Sequence, residues 1–228
     1  MMAAGLGTRM KPLTNSMPKP LVKVNGKPMI ETVIDALKDR GVDYIYVVVG
    51  YLGEQFAYLI QKYDNLTIVE NKDYRTINNI SSIHVVTDRM RGSSCFICEA
   101  DLYIPESSIL KAEHQKSCYY GKFVTGHSDD WVFDQDNNGR ITRIGKCGDD
   151  CYNMCGISFF LNDDAKVIAD AVDETWGTNG YESLFWDEVV DKVLDKVELE
   201  VYPIKAGQIV EIDTVEELKQ IDKSYSGL

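Results

Sequence analysis

Three cations, Arg9, Lys11 and Lys19, fall within eleven residues of the N-terminal stretch AAGLGTRMKPLTNSMPKPLV. Gly5 and Gly7 precede them, so the backbone can approach a ligand closely and its exposed N–H groups can form an anion cradle. Pro12, Pro18 and Pro20 stiffen the stretch and hold its charges in position. That combination suits the handling of a phosphate chain. It is neither a P-loop nor a dinucleotide fingerprint, because GK[ST] and the third glycine are both missing. Two carboxylates, Asp101 and Asp213, end the apolar runs SCFICEAD and QIVEID. Strand-end carboxylates suit a hard cation such as Mg²⁺, which takes oxygen ligands and keeps several waters. Asp213 has a second reading as the N-cap of a helix over TVEELKQID, with Glu216 closing a capping box. The residue types alone leave both readings open.

Other chemistry-bearing side chains form no comparable pattern. His84, His114 and His127 are too scattered to suggest a triad or a metal cluster. Cys95 and Cys98 make a CxxC, but they lie in a strand-like run where residues three apart face opposite sides. Cys147, Cys151 and Cys155 are spaced by four within GKCGDDCYNMCG, whose Gly, Asp and Asn content reads as loop. The six thiols are therefore expected to be plain buried or loop cysteines rather than zinc ligands or disulfides.

The elements that must carry these residues alternate in type. PMIETVIDALKDRG has helical periodicity and stops at Gly41, DYIYVVVG is a buried strand, EQFAYLIQKY a helix and LTIVEN a strand. NNISSIHVVTDRM reads as helix and SCFICEAD as strand. Strands alternating with helices indicate βαβ units and a mostly parallel sheet. The second half is more mixed. YYGKFVTGH and WVFDQDNNGRITRIG read as strands turning at DNNG, followed by the strand MCGISFFL. DDAKVIADAVDE and YESLFWDEVVDKVLDKV read as amphipathic helices, ELEVYPI and QIVEID as strands, and TVEELKQID as a closing helix. The expectation is an α/β fold with an open mixed sheet in one domain spanning 1–228. Ligands of such sheets bind beyond the carboxyl ends of strands.

Composition sets the outer bounds. The 228 residues carry 24 Lys and Arg against 36 Asp and Glu, a formal net charge of −12. Such acidity argues against nucleic-acid binding, which needs clustered cations, but not against a small anionic substrate held by a few local ones. With 44% hydrophobic and 26% charged residues the chain is of ordinary globular composition. No apolar run approaches the length of a membrane span and no secretory leader is read at the N-terminus, so a cytoplasmic protein is expected. The oligomeric state is left open.

The order of motifs resembles the nucleotidylyltransferases of the sugar-1-phosphate and phosphocholine type. It runs Gly5, Gly7, Thr8, Arg9, then Pro18-Lys19-Pro20-Leu21, Asn78-Asn79 with Ser81-Ser82, Glu99-Ala100-Asp101, Trp186-Asp187 and Glu211-Ile212-Asp213. In detail it looks most like the bacterial CTP:phosphocholine cytidylyltransferases. The resemblance implies a Rossmann-like fold and Mg²⁺-dependent transfer of CMP from CTP to phosphocholine. By it, Arg9 contacts the β/γ-phosphates and Lys19 bridges the α-phosphate and the attacking group. Ala3, Ala4, Gly5, Leu6, Gly7 and Thr8 meet the triphosphate and base, and Asn78, Asn79 and Ser82 lie near base and ribose. Trp131, Trp186, Asp187 and Glu211 match an acceptor site, where aromatic faces and carboxylates hold a quaternary ammonium; Tyr181 and Trp176 are looser candidates. Trp186 also reads as core, because Leu184, Val189, Val190 and Val193 share its helix. Glu188 replaces the Asn of the usual W-D-N. The family begins with a full apolar strand, whereas only Met1 and Met2 precede Ala3, so either the first strand is truncated or the true start lies upstream of residue 1. Rival readings are transfer to 2-aminoethylphosphonate or phosphoethanolamine, a sugar-1-phosphate enzyme, and a catalytically silent nucleotide-binding regulator.

Overall fold

A computed structural model describes residues 1–227. In chain order the strands are β1 (Met2–Ala3), β2 (Lys23–Val24), β3 (Lys27–Pro28), β4 (Ile45–Val49), β5 (Leu66–Glu70) and β6 (Cys95–Cys98). There follow β7 (Leu102–Tyr103), β8 (Ser117–Gln135), β9 (Ile141–Phe160), β10 (Leu199–Ile204) and β11 (Val210–Glu211). The α-helices are α1 (Met29–Arg40), α2 (Tyr58–Lys62), α3 (Ile80–His84), α4 (Thr87–Met90), α5 (Asn162–Thr175), α6 (Trp186–Asp191) and α7 (Val215–Ile221). The chain gathers into two compact units, one of residues 1–72, 99–112 and 207–228, the other of 73–98 and 113–206.

The first unit is built on βα crossovers. Its parallel sheet has the order β1-β4-β5, with Met2 opposite Val48 and Ile45 opposite Leu66. Its first strand is the two residues Met2–Ala3; the Met1 carbonyl accepts from the Val48 amide, and Met2 also bridges Glu99. Helix α1 forms because Met29, Ile30, Val33, Ile34 and Leu37 recur on one buried stripe. It ends at Gly41, which takes the left-handed φ of 85° that a glycine adopts without penalty. A second core cluster of Met10, Val22, Val24, Met29, Ile212 and Leu218 ties the N-terminal stretch to α7.

The second unit holds a four-stranded sheet of order β10-β8-β9-β6, parallel between β10 and β8 and antiparallel elsewhere. Three expectations are corrected here. The strand readings at 119–127 and 131–135 are parts of one 19-residue strand, β8. GKCGDDCYNMCG is not loop but the middle of β9, because pairing with β8 satisfies its backbone. Register shifts along this pair, with positive φ at Cys147, Asp150 and Gly156, accommodate the turn-forming residues as irregularities within a strand. YESLFWDEVVDKVLDKV breaks into a 3₁₀ turn, Tyr181–Ser183, and the six-residue α6 from Trp186 to Asp191. The hairpin turn at Asp136–Gly139 stands as read, closed by the Gly139 amide on the Asp136 carbonyl. No helix among the described residues is long and apolar enough to cross a membrane.

Candidate active site

In the first unit the glycine-rich stretch closes onto the lysine it precedes. Gly7 has φ 60°, and a Cβ there would lie 2.8 Å from the Cβ of Lys19 and 3.2 Å from Cγ2 of Thr14. Only glycine permits both that conformation and that approach. The Thr14 hydroxyl donates to the Gly7 carbonyl at 2.8 Å, holding the stretch closed. Gly5 has open space around it. Ala3 and Ala4 are buried, whereas Leu6 is exposed and Arg9 projects outward with 68% of its side chain accessible. Lys19 lies in a single 3₁₀ turn, Lys19–Leu21, flanked by Pro18 and containing Pro20.

Lys19 is only 6% exposed, and an unpaired ammonium at that depth would be costly. Two carboxylates meet it: Asp101 Oδ2 at 2.7 Å and Asp213 Oδ1 at 2.6 Å. The short antiparallel pair β7–β11 brings them together, with Leu102 opposite Glu211, so Asp101 precedes one strand as Asp213 follows the other. Arg9 donates to the same Asp213 oxygen at 2.7 Å. Burial opposes the Lys19 charge, but Asp101 and then Asp213 outweigh it and raise its pKa. Burial likewise opposes ionisation of Asp213, yet the Lys19 ammonium and then Arg9 pull its carboxyl below the usual range. Desolvation of its carboxyl, then the charges of Asp213 and Asp101, push Glu211 up to about 7. Glu211 is exposed as a residue, and the crowding of like charges is the cause we weigh most.

The structure overturns the helix-cap reading of Asp213. The N-cap of α7 is Thr214, whose hydroxyl accepts from the Glu217 amide at 3.2 Å. Glu217 in turn accepts from the amides of Thr214 and Asp213. The capping box is therefore Thr214 with Glu217, one residue later than the expected Asp213 with Glu216. The side chain of Asp213 is thereby left to Lys19 and Arg9.

The remaining expected site residues lie in the second unit. Asn78 donates from Nδ2 to the Ser183 carbonyl at 3.0 Å and accepts at Oδ1 from the Asn79 amide at 2.8 Å. Asn79 Oδ1 accepts from the Trp186 amide at 2.8 Å. These amides pin the segment 183–186 beside the start of α3, and Ser82 is buried on that helix. Trp131 is half-buried, edge-on to Phe185 at 5.3 Å, with the Lys146 ammonium 5.9 Å from its ring centre. Its face already holds a cation. Trp186 and Asp187, assigned by resemblance to the acceptor, are enclosed. Trp186 is 3% exposed, stacked on Tyr119 at 6.0 Å and edge-on to Phe160 at 6.1 Å. The Tyr119 hydroxyl donates to Asp187 Oδ1 at 3.1 Å, and burial pushes Asp187 up to about 7. The reason is the direction of α6, whose Trp186, Val189 and Val190 all face the core. Glu188 does helix work, accepting from the Phe185 amide at 2.8 Å. Trp176 stacks on His84 at 3.9 Å and meets Tyr181 edge-on.

Two groups escaped the sequence reading. Thr14 has no signal of its own, because its role depends on the fold of Gly7. His127 stands apart in sequence yet meets Asp129 and Cys147 on the β8–β9 hairpin, with one donor atom from each within 4.8 Å of the others. Antiparallel pairing of β8 with β9 is what brings His127 and Cys147, twenty residues apart, to one another.

A buried lysine between two strand-end carboxylates, beside a glycine-closed cationic loop, is the apparatus of a phosphate-transferring α/β enzyme. Residues 1–133 match the MobA-like NTP transferase domain, and the chain belongs to that nucleotidyltransferase family. It is 50% identical over 224 residues to the 2-aminoethylphosphonate cytidylyltransferase of Lancefieldella rimae, covering 98% of this chain and 91% of that one. It is 30% identical over 225 residues to a choline-phosphate cytidylyltransferase of Streptococcus pneumoniae, covering 97% and 95% respectively. A solved structure of a CTP:phosphocholine cytidylyltransferase from the same species superimposes with a TM-score of 0.88 at 30% identity, covering 98% of this chain and 96% of that one.

Proposed function

We propose that the chain transfers CMP from CTP to 2-aminoethylphosphonate, with pyrophosphate as the leaving group. The observation that carries the acceptor is the 50% identity along 98% of the chain to a 2-aminoethylphosphonate cytidylyltransferase. Phosphocholine, the acceptor expected from the sequence, is the second reading, favoured by the 30% identical relative. Enclosure of Trp186 supports the first of these. A trimethylammonium is best held by open aromatic faces, whereas a primary ammonium wants directed hydrogen bonds that a carboxylate accepts. Glu211 is the carboxylate we assign to that ammonium. A cytoplasmic setting goes with this reading.

In the proposed reaction a phosphonate oxygen attacks the α-phosphorus in line, and the bond to the bridging oxygen of pyrophosphate breaks. Nothing covalent is asked of the protein, only alignment and neutralisation of charge. Arg9, exposed beside Asp213, meets the outer phosphates. The N–H groups of residues 5–8 line the phosphate chain. Lys19 exchanges a carboxylate for the α-phosphate and the incoming oxygen. Asn78, Asn79 and Ser82 serve the nucleoside side, the two asparagines by holding their segment. Mg²⁺ suits the acidic cluster, because Asp101 and Asp213 offer only oxygen donors and stand on either side of one lysine. Asp101 and Asp213 would hold the ion, which when bound neutralises charge on the triphosphate.

The test is steady-state pyrophosphate release with CTP and 2-aminoethylphosphonate, phosphocholine, phosphoethanolamine or glucose-1-phosphate. The highest kcat/KM is expected with 2-aminoethylphosphonate. Preference for phosphocholine would move the acceptor to the second reading. Turnover of the sugar phosphate alone would remove the amino acceptor altogether, and no turnover would favour a silent regulator.

A further inference from the structure

The hairpin of β8 and β9 carries a cluster that nucleotidyl transfer does not use. His127 and Asp129 lie on β8, and Cys147 and Asp149 lie on β9, with His127 paired opposite Asp149. Nδ1 of His127 bonds Asp149 Oδ1 at 2.8 Å, leaving Nε2 directed to Asp129 Oδ1 at 3.3 Å. The Cys147 thiol reaches the same Asp129 oxygen at 3.9 Å. All three residues are exposed and open to an ion from solvent.

Tetrahedral zinc geometry can be set against these distances. Nitrogen and oxygen ligands at about 2.0 Å from one ion stand about 3.3 Å apart, and sulfur and oxygen about 3.5 Å. The first matches the His127–Asp129 separation, and the second needs closure of only a few tenths of an ångström. Asp149 supplies the outer partner that zinc-binding imidazoles usually have: a carboxylate on Nδ1–H fixes the ring and presents the Nε2 lone pair. One nitrogen, one oxygen and one thiolate suit a borderline or soft divalent ion and do not suit Mg²⁺ or Ca²⁺. The register irregularity between Val124 and His127 and the positive φ of Cys147 aim both side chains to this side of the hairpin.

We propose that His127 Nε2, Asp129 and the Cys147 thiolate bind one Zn²⁺ that clips β8 to β9, with a water as fourth ligand. The site lies outside the residues assigned to catalysis and does not rest on the acceptor. Its test uses the whole reduced protein in excess Mg²⁺, so that the oxygen-ligand cluster is filled. Titration with Co²⁺ should give a thiolate-to-cobalt charge-transfer band at one ion per chain, displaced by Zn²⁺. Cys147→Ser should abolish the band and His127→Gln should weaken binding more than tenfold. Asp149→Asn should weaken it about 10- to 100-fold through the outer shell. Zn²⁺ should also protect Cys147 of the wild-type protein from alkylation, read on its peptide by mass spectrometry. No band, a band that survives Cys147→Ser, or Cys147 alkylated equally with and without Zn²⁺ would overturn the proposal.

Discussion

Lys19 stands where the charges of the candidate site meet. It is buried, and two carboxylates within 2.7 Å keep it charged. In the proposed reaction it exchanges a carboxylate for phosphate. Lys19→Ala should therefore lower kcat roughly a hundred- to a thousand-fold, the range for removing one electrostatic stabiliser, with a far smaller change in KM for CTP. A change confined to KM would make Lys19 a ground-state binder. Asp101→Asn and Asp213→Asn should each abolish the dependence of turnover on Mg²⁺ concentration along with most of the activity. Gly7→Ala tests the closure of the loop. Its positive φ and the 2.8 Å approach to Lys19 allow no methyl group, so activity and thermal midpoint should fall together.

At the scale of elements, the start of α7 separates a helix cap from a site residue. Thr214 and Glu217 close the helix, while Asp213 beside them faces Lys19 and Arg9. Thr214→Ala should cost about 1 kcal/mol of stability with near-normal kcat. Asp213→Asn should do the reverse, losing turnover more than thermal midpoint. Differential scanning calorimetry with initial-rate kinetics on both variants checks the pair. If Asp213→Asn lowers only the midpoint, Asp213 has no part in the reaction. The signal for the true cap was present locally as T-x-x-E at 214–217. What misplaced it by one residue was D-x-x-E at 213–216, which local spacing cannot distinguish.

Over the whole molecule, Asp187 is a buried titratable group set between burial and the Tyr119 hydroxyl. Burial raises its pKa to about 7, while Tyr119, raised well above 10, stays protonated as donor. The folded protein thus holds a proton on Asp187 that the unfolded chain releases near 3.8, the ordinary value for an aspartate. Its contribution to stability is fully present below that value and is lost as pH rises through about 7. Asp187→Asn keeps an acceptor for Tyr119 and removes the titration. The urea midpoint of wild type should fall relative to that of Asp187→Asn between about pH 5 and pH 8. Parallel pH profiles for the two proteins would show that Asp187 is ionised throughout.

The sequence by itself determined the local matters: the stripe and stop of α1, the buried β4, the DNNG turn, and the clustering of Gly7, Arg9 and Lys19 with two strand-end carboxylates. Periodicity, turn chemistry and charge spacing act over a few residues, so they are legible in order along the chain. Tertiary structure decided whatever depends on partners far away in sequence. Lys19 meets Asp213 across 194 positions only because β7 pairs with β11. Pairing with β8 made a strand of the Gly- and Asp-rich segment around Cys147 and brought that cysteine to His127. The inward face of α6 took Trp186 and Asp187 into the core, which an amphipathic pattern allows but does not require. Burial and register are long-range properties, and a side chain's chemistry follows from them as much as from its type.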